Sequence, residues 1–492
     1  MTGFDNDKYL KHQSKMIRER IERFGGKLYL EFGGKLFDDY HASRVLPGFQ
    51  PDSKVRMLAQ LSDIAEIVIC INAQDIDKCK IRNDIGITYD TEVLRLIDSF
   101  QDMDLTVGSI VVTQFTHQQA SKAFVRQLRS LNFSVYCHYP IEEYPQNLSL
   151  IASDDGFGKN EFVETTRPLV VVTAPGPGSG KLAVCLSQLY QEAKRGTVAG
   201  YAKFETFPIW NLPLKHPVTL AYEAATADLN DVTMIDSYHL DAYNVVAVNY
   251  NRDIEAFPLL RAMLEKINGS CPYLSPTDMG VNAAGLCIVN DDVVCHAARQ
   301  EIIRRFYTTQ CALKQGTGSA HAVTKLKILL QQAKVTPNDR SVVGPALDAA
   351  KTSSTATVAI ELPSKRIVIG KSKDLLGSVA AALINSLKVL ANIDDSIDVI
   401  AESSLAPIQL LRTEHLHCAR GGLHCEETLI ALVSSSTFNP TAAKALSMLA
   451  LLRGCQAHSS VMLAADDVLT CTRLGLQLTC EPVFPKGRLY GR

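Results

Sequence analysis

The sequence predicts an α/β protein in three parts. Residues 1–238 read as a P-loop-like parallel α/β domain with a phosphate cradle, 239–340 as a mainly helical domain and 341–492 as a smaller C-terminal α/β domain. Three observations carry this. Strand-like and helix-like segments alternate through the first 145 residues. A glycine-rich stretch at 176–181 joins an apolar run to an amphipathic one. The α/β alternation returns after the polar stretch Pro337-Asn338-Asp339-Arg340-Ser341.

In the first part, Tyr29–Phe32, Ile67–Ile71, Ser109–Thr113 and Ser134–His138 are β-branched or apolar runs of strand length. Thr91–Phe100 and His117–Leu131 carry helical periodicity, with Ala120, Phe124, Leu128 and Leu131 on one face of the second. Such alternation predicts a parallel sheet covered by helices. Two short stretches, Gly25-Gly26-Lys27 and Gly33-Gly34-Lys35, flank the first strand and read as turn chemistry.

Leu169–Val172 reads as a buried strand, and from Leu182 the apolar residues Cys185, Leu186 and Leu189 recur at helical spacing. Between them lie Gly176, Pro177, Gly178, Ser179, Gly180 and Lys181. A helix start aims unpaired N–H groups and a positive dipole end at whatever precedes it, and glycines let the backbone close around an anion. Gly176, Gly178, Ser179, Gly180 and Lys181 are therefore expected to bind phosphate. The P-loop pattern is incomplete: Pro175 stands at its first glycine, and Leu182 replaces the hydroxyl that holds Mg²⁺. Val232–Asp236 has the form of an apolar strand ending in a carboxylate, so Asp236 is a candidate for placing Mg²⁺ or, equally, for capping a helix.

The middle part contains helical patterns at Ile254–Ile267, Ala297–Phe306 and His321–Lys334. Two polar stretches punctuate it, 249–253 and 275–282. They supply Asn249, Arg252, Asp278 and Asn282 as candidate substrate contacts, with helix capping as the plain alternative. In the last part, Thr355–Leu362, Arg366–Ile369 and Val461–Leu463 are strand-like. Gly370-Lys371-Ser372 reads as a helix-start turn with Ser372 as cap. The helix after it has a buried face of Leu376, Val379, Leu383, Leu387 and Leu390.

Residues 412–432 concentrate His415, His417, Cys418, His424, Cys425, Glu426 and Glu427, with Cys455 and His458 following. These are zinc-ligand types, but neither H-E-x-x-H nor a P-C-x-x-C partner for His424-Cys425-Glu426 occurs. No metal site is assigned and zinc is not expected.

The net charge of −2 gives no basic footprint for nucleic acid. No apolar run reaches the ~18 residues of a membrane span, and the first 23 residues lack a signal-peptide core. Thirteen cysteines, odd in number and mostly inside apolar runs, read as reduced core thiols, with Cys418 and Cys425 as the reactive exceptions. A cytoplasmic protein is expected.

Long stretches, among them "TAPGPGSGKLAVCLSQLY", "SPTDMGVNAAG", "GKSKDLLGSVAAALINSLK" and "NPTAAKALSMLALLRGCQAHSSV", resemble the bacterial domain-of-unknown-function 1846 family over nearly the whole chain. The resemblance implies an α/β protein with a P-loop-like segment and brings no established activity. Some members carry the label ATP-dependent zinc protease, which the missing H-E-x-x-H does not support. The central unit is also loosely similar to P-loop enzymes of the dethiobiotin-synthetase type, which implies a strand-borne catalytic lysine at Lys203 in "GYAKFETF". The expectation is an enzyme that binds a nucleotide or phosphorylated small molecule, with ATP and Mg²⁺ as cofactors, for phosphoryl transfer or ATP-driven ligation. Lys181, Asp236 and Lys203 would be its catalytic residues. A non-catalytic sensor of a phosphorylated metabolite and a zinc-dependent hydrolase are the alternatives. Neither nucleic acid nor membrane is an expected partner, and a homo-oligomer stays open.

Overall fold

A computed structural model describes all residues except 1, 35, 38, 83–85, 230, 418–421 and 486–492. Lys35 and Cys418, singled out above, lie outside the described residues. The strands in chain order are β1 (Leu28–Phe32), β2 (Ala65–Asn72), β3 (Ile81–Arg82), β4 (Ile87–Thr88), β5 (Thr106–Thr113), β6 (Ser134–Cys137), β7 (Leu169–Thr173), β8 (Gly200–Phe204), β9 (Thr233–Ile235), β10 (Val248–Tyr250), β11 (Gly280–Val281), β12 (Thr357–Glu361), β13 (Ile367–Lys371), β14 (Gln456–Ser459) and β15 (Gln477–Cys480). The chain divides into two compact units, 1–223 with 230–298, and 224–229 with 299–492. Apart from the short stretch 224–229, the boundary between the units falls near residue 298, inside the helix Asp291–Lys314, so residues 239–298 belong to the first unit and 299–340 to the second.

The first unit is built on a seven-stranded sheet in the order β11-β8-β1-β7-β2-β5-β6, with every neighbouring pair parallel. β7 (LVVVT) is buried at all five positions and β2 at seven of eight. This follows from their continuous β-branched runs, which suit strands covered on both faces. The chain leaves β2 toward β5 on one side and leaves β7 toward β8, across β1, on the other. Right-handed crossovers place the two connections on opposite faces, which makes the carboxyl ends of the adjacent strands β7 and β2 the topological switch point of the sheet. The helix after β7, Lys181–Lys194, packs through Val184, Cys185, Leu186 and Leu189 onto Tyr29, Val170, Val172 and Tyr201.

The apolar run at 232–236 forms β9, but outside the parallel sheet. It pairs antiparallel with β10, and two of its three residues are exposed. Hydrophobicity alone does not separate a buried strand from an exposed one of this length.

In the second unit, β12 lies between antiparallel partners β13 and β14, and β15 joins β14 in parallel. The helix Ser378–Leu390 covers this sheet with Val379, Leu383 and Leu387 buried, while Leu376 and Leu390 pack at its margin. Gly370-Lys371 proves to be the end of β13 instead of a helix-start turn, and Gly377, not Ser372, stands at the helix N-cap. The glycine is there for close approach: a Cβ at Gly370 would lie 2.1 Å from the Ala382 backbone nitrogen. The third expected strand also shifts, from Val461–Leu463 to Gln456–Ser459, where Ala457, His458 and Ser459 are buried.

Candidate functional site

The loop after β7 is held by its carbonyls. Asn72, at the end of β2, donates its side-chain N–H to the Gly178 carbonyl at 3.2 Å. Thr113, at the end of β5, donates its hydroxyl to the Ser179 carbonyl at 2.9 Å. The buried Ser179 hydroxyl donates to the Gly176 carbonyl at 2.9 Å, so it fastens the loop internally. Gly178 and Gly180 sit at φ +80° and +84°, where a side chain is strained, and a Cβ on Gly180 would meet the Thr113 side chain at 3.0 Å. Gly176 is needed for space: its Cβ would lie 2.2 Å from the Tyr89 hydroxyl.

With the carbonyls turned away, the amides point the other way. Gly180 is the N-cap of Lys181–Lys194 and provides no side-chain cap. Among the described residues, the N–H groups of Gly178 through Ala183 find no backbone or side-chain acceptor, and the first helical hydrogen bond closes from Val184 to Gly180. The loop is partly open to solvent. Six amide donors, the positive end of the helix dipole and the Lys181 side chain are thus gathered at this helix start, the set of groups that anion sites use.

A second group of charges stands on the sheet face that this helix covers. Glu31 on β1 is in register with Lys203 on β8. The Lys203 Nζ lies 2.7 Å from Glu205 Oε1 and is hydrogen-bonded to Asp253, in the first turn of the helix Asn251–Asn268. The Tyr201 hydroxyl donates to Glu31 at 2.8 Å. Burial raises the Glu205 carboxyl to about 7; Lys203 opposes that shift, and Asp253 and Glu31 reinforce it. Burial works against charge on Lys203, but Glu205, Asp253 and Glu31 outweigh it and hold the ammonium above its ordinary range. Lys181 of the loop and Glu31 of the cluster both act on the Cys70 thiol: burial lifts it to about 12, an effect that Lys181 opposes and Glu31 strengthens. A carboxyl titrating near neutrality beside an ammonium is an acid–base pair, the kind of perturbation that gathers at functional sites.

The other expected contacts divide. Asn249 and Asn282 line a narrow crevice with Glu205, Trp210 and Thr277. Asn282 also ties that region together, donating to the Thr206 and Pro208 carbonyls at 3.1 and 2.8 Å. Asp278 serves the capping box with Ser275 and accepts the Tyr243 hydroxyl at 2.8 Å. Arg252 is exposed and lies 3.5 Å from Asp231. Asp236 is fully buried and is the cap of Ser237–Tyr243. One oxygen accepts the His239 N–H at 3.0 Å and the other accepts Thr277 N–H and Oγ1 at 3.2 and 2.6 Å. Of its two sequence roles, the structure gives it capping, and both oxygens are occupied.

In the second unit the His/Cys stretch is spread over separate contacts. His424 Nδ1 lies 2.7 Å from Asp467, and Asp467 also accepts the Cys425 N–H at 2.9 Å. His458 is buried between the Thr479 hydroxyl and Glu481. Cys425, expected above to be reactive, is buried; a hydrogen bond with its neighbour Cys471 and burial drive its thiol far above the usual range. Cys79 is the exposed thiol among the described cysteines. A different group converges in the first unit: His216, Asp291 and Cys295 bring ligand-type atoms within 4.8 Å of one another. However, the Val218 N–H donates to His216 Nδ1 at 3.2 Å. This puts the neutral ring's proton on Nε2, the atom 3.0 Å from Asp291, so the group is built as a hydrogen-bonded one.

Family models place this architecture. "Domain of unknown function DUF1846, N-terminal" matches residues 2–334, and its C-terminal counterpart matches 338–490. The chain belongs to the DUF1846 family. Among similar curated proteins, a UPF0371 protein of Clostridium botulinum (strain Alaska E43 / Type E3) is 50% identical over 497 residues, covering 99% of each chain. One of Streptococcus sanguinis (strain SK36) is 50% identical over 488 residues and one of Clostridioides difficile (strain 630) 49% over 497, again with 99% of each chain covered. These bacterial relatives carry names without an activity.

Of the cluster, Lys203 was legible in the sequence only by resemblance, and Glu31, Glu205 and Asp253 were missed. The signal was present for one of them: Lys203 and Glu205 are two apart in a strand-like run, hence on one face. Glu31 and Asp253 come from distant segments that only the sheet register and the helix start bring together.

Proposed function

We propose that this protein binds a phosphorylated small molecule and performs acid–base chemistry on it. The phosphate would sit on the amides of residues 178–183 with Lys181 as its counter-charge. Lys203 and Glu205 would face the remainder of the molecule, with Asn249 and Asn282 on the adjoining crevice. The observation that carries this reading is the run of amide donors without acceptors at the start of a helix that covers the sheet face bearing Lys203, whose partner Glu205 is raised to about 7 by burial. With Glu205 protonated, Lys181 and Lys203 balance Glu31 and Asp253. An arriving anion therefore favours the protonated form of Glu205, and binding takes up a proton near pH 7. Nucleotides belong to the same ligand class. Leu182 in place of the metal-side hydroxyl and Asp236 engaged as a cap favour a phosphate ester over Mg²⁺-dependent nucleotide hydrolysis.

The test is calorimetric titration of the full chain with inorganic phosphate, a sugar phosphate, ADP and ATP, with and without Mg²⁺. Lys181→Ala should weaken phosphate-bearing ligands about ten- to a hundredfold, the loss of one charge-assisted hydrogen bond. If none of the four binds the wild type, or all bind the variant equally, the reading fails. Binding with no turnover of any ligand would make the protein a sensor.

A further inference from the structure

Residues 232–246 form an arm: β9, the helix Ser237–Tyr243 and the turn leading into β10. The helix buries none of its residues, and positions 240–246 are exposed without interruption. Met234, Ile235, Leu240, Tyr243, Val245 and Val246 are each 37–59% exposed. A surface helix ordinarily turns its apolar stripe toward a core, and this one presents Leu240 and Tyr243 to water.

The arm is nevertheless firmly held. Asp236 caps the helix, Asn244 closes it in the left-handed region with its N–H on the Leu240 carbonyl at 2.8 Å, and β9 is laddered to β10. The Tyr243 hydroxyl and His239 are tied to Asp278 and Ser275 on the inner side. An ordered segment with this much outward apolar surface is built to be covered.

We propose that the arm is a self-association surface on which a second copy of this chain docks about a two-fold axis. Three features select that occupant. The six residues together leave roughly 500 Å² exposed, more than half of the ~800 Å² that each partner contributes to a standard interface. Asp241 is the one outward carboxylate on the arm, which carries no lysine or arginine; Asp236 is buried and His239 faces Ser275. A nucleic acid or an anionic membrane is recognised by basic residues, so neither matches this surface. A nearly uncharged apolar patch is compatible with itself, as an isologous contact requires. Because the inner side of the arm holds the 275–278 loop and leads into Asn249, docking would also stiffen the crevice that Glu205 lines.

Sedimentation equilibrium of the full chain tests this, at concentrations up to about 10 µM, a range that resolves micromolar or tighter dimers. The wild type should be dimeric. Leu240→Glu/Val246→Glu should raise the dimer dissociation constant at least about a hundredfold, since each charge enters the two-fold interface twice. Ile430→Glu, on another exposed apolar side chain (61%), should leave it unchanged. Circular dichroism checks the fold, and Val246→Glu alone serves if the double variant is destabilised. A monomeric wild type, or arm variants as dimeric as the wild type, would overturn the proposal, as would equal dissociation by Ile430→Glu.

Discussion

Lys203 and Glu205 stand on one face at the end of β8, with Nζ 2.7 Å from Oε1, and Asp253 closes on the same ammonium from a helix start. One cation thus serves two carboxylates, and the more deeply buried carboxyl, Glu205, holds its proton to about pH 7.

That proton has a consequence for stability. Below the unfolded value of about 4.5, Glu205 is protonated in both states and contributes nothing. Between there and about 7 the unfolded chain ionises while the folded one does not, so stability falls as pH rises through this window. Glu205→Gln should flatten the dependence of Tm on pH between roughly 4.5 and 7. The change corresponds to about 1–3 kcal/mol, read from thermal melts of both proteins. A wild-type Tm that rises across the window would contradict the raised carboxyl.

The same proton should appear in ligand binding. Phosphate binding by the wild type should release or absorb heat in proportion to the buffer's ionisation enthalpy near pH 7, and Glu205→Gln should lose that dependence. Phosphate itself titrates in this range, so the comparison between the two proteins is the measurement.

Gly180→Val should destabilise the protein by about 2 kcal/mol or more, because φ +84° resists a β-branched residue and Thr113 already sits 3.0 Å from the new Cβ. Gly178→Ala, with φ +80° but open space, should cost less, about 1 kcal/mol. Chemical denaturation that ranks them the other way would mean that crowding at Thr113 does not matter.

In the second unit, the hydrogen bond and charge of Asp467 raise the His424 imidazole above its usual value. The stability this pair contributes is fully present below about pH 6.5 and lost as pH rises through the folded value. Asp467→Asn should bring the His424 titration down and reduce the stability advantage at pH 6 over pH 8. NMR titration of the ring protons and melts at the two pH values check both parts. An unmoved His424 titration would show that Asp467 does not govern it.

Among the described cysteines, Cys79 should react first with a thiol reagent, and Cys70, Cys185 and Cys425 only on unfolding. The first is exposed, and the others are buried with their thiolates disfavoured. Mass mapping after brief labelling decides.

The parallel core and the place of the glycine loop are legible in local sequence patterns. β2 and β7 are continuous β-branched runs that only a doubly covered sheet satisfies, and the residues after Lys181 repeat at helical spacing; both patterns are local. The tertiary structure decided what the polar residues do. Asp236 caps its helix through a local bond to His239, and Thr277, forty-one positions away, occupies its second oxygen. Glu31, Lys203, Glu205 and Asp253 became one cluster because parallel pairing of β1 and β8 and the start of a distant helix converge there. The run 232–236 is a strand, as its composition predicts, but that composition is the same whether a core or solvent lies beside it. Periodicity is written along the chain, whereas burial, register and charge proximity exist only once segments far apart in sequence have met.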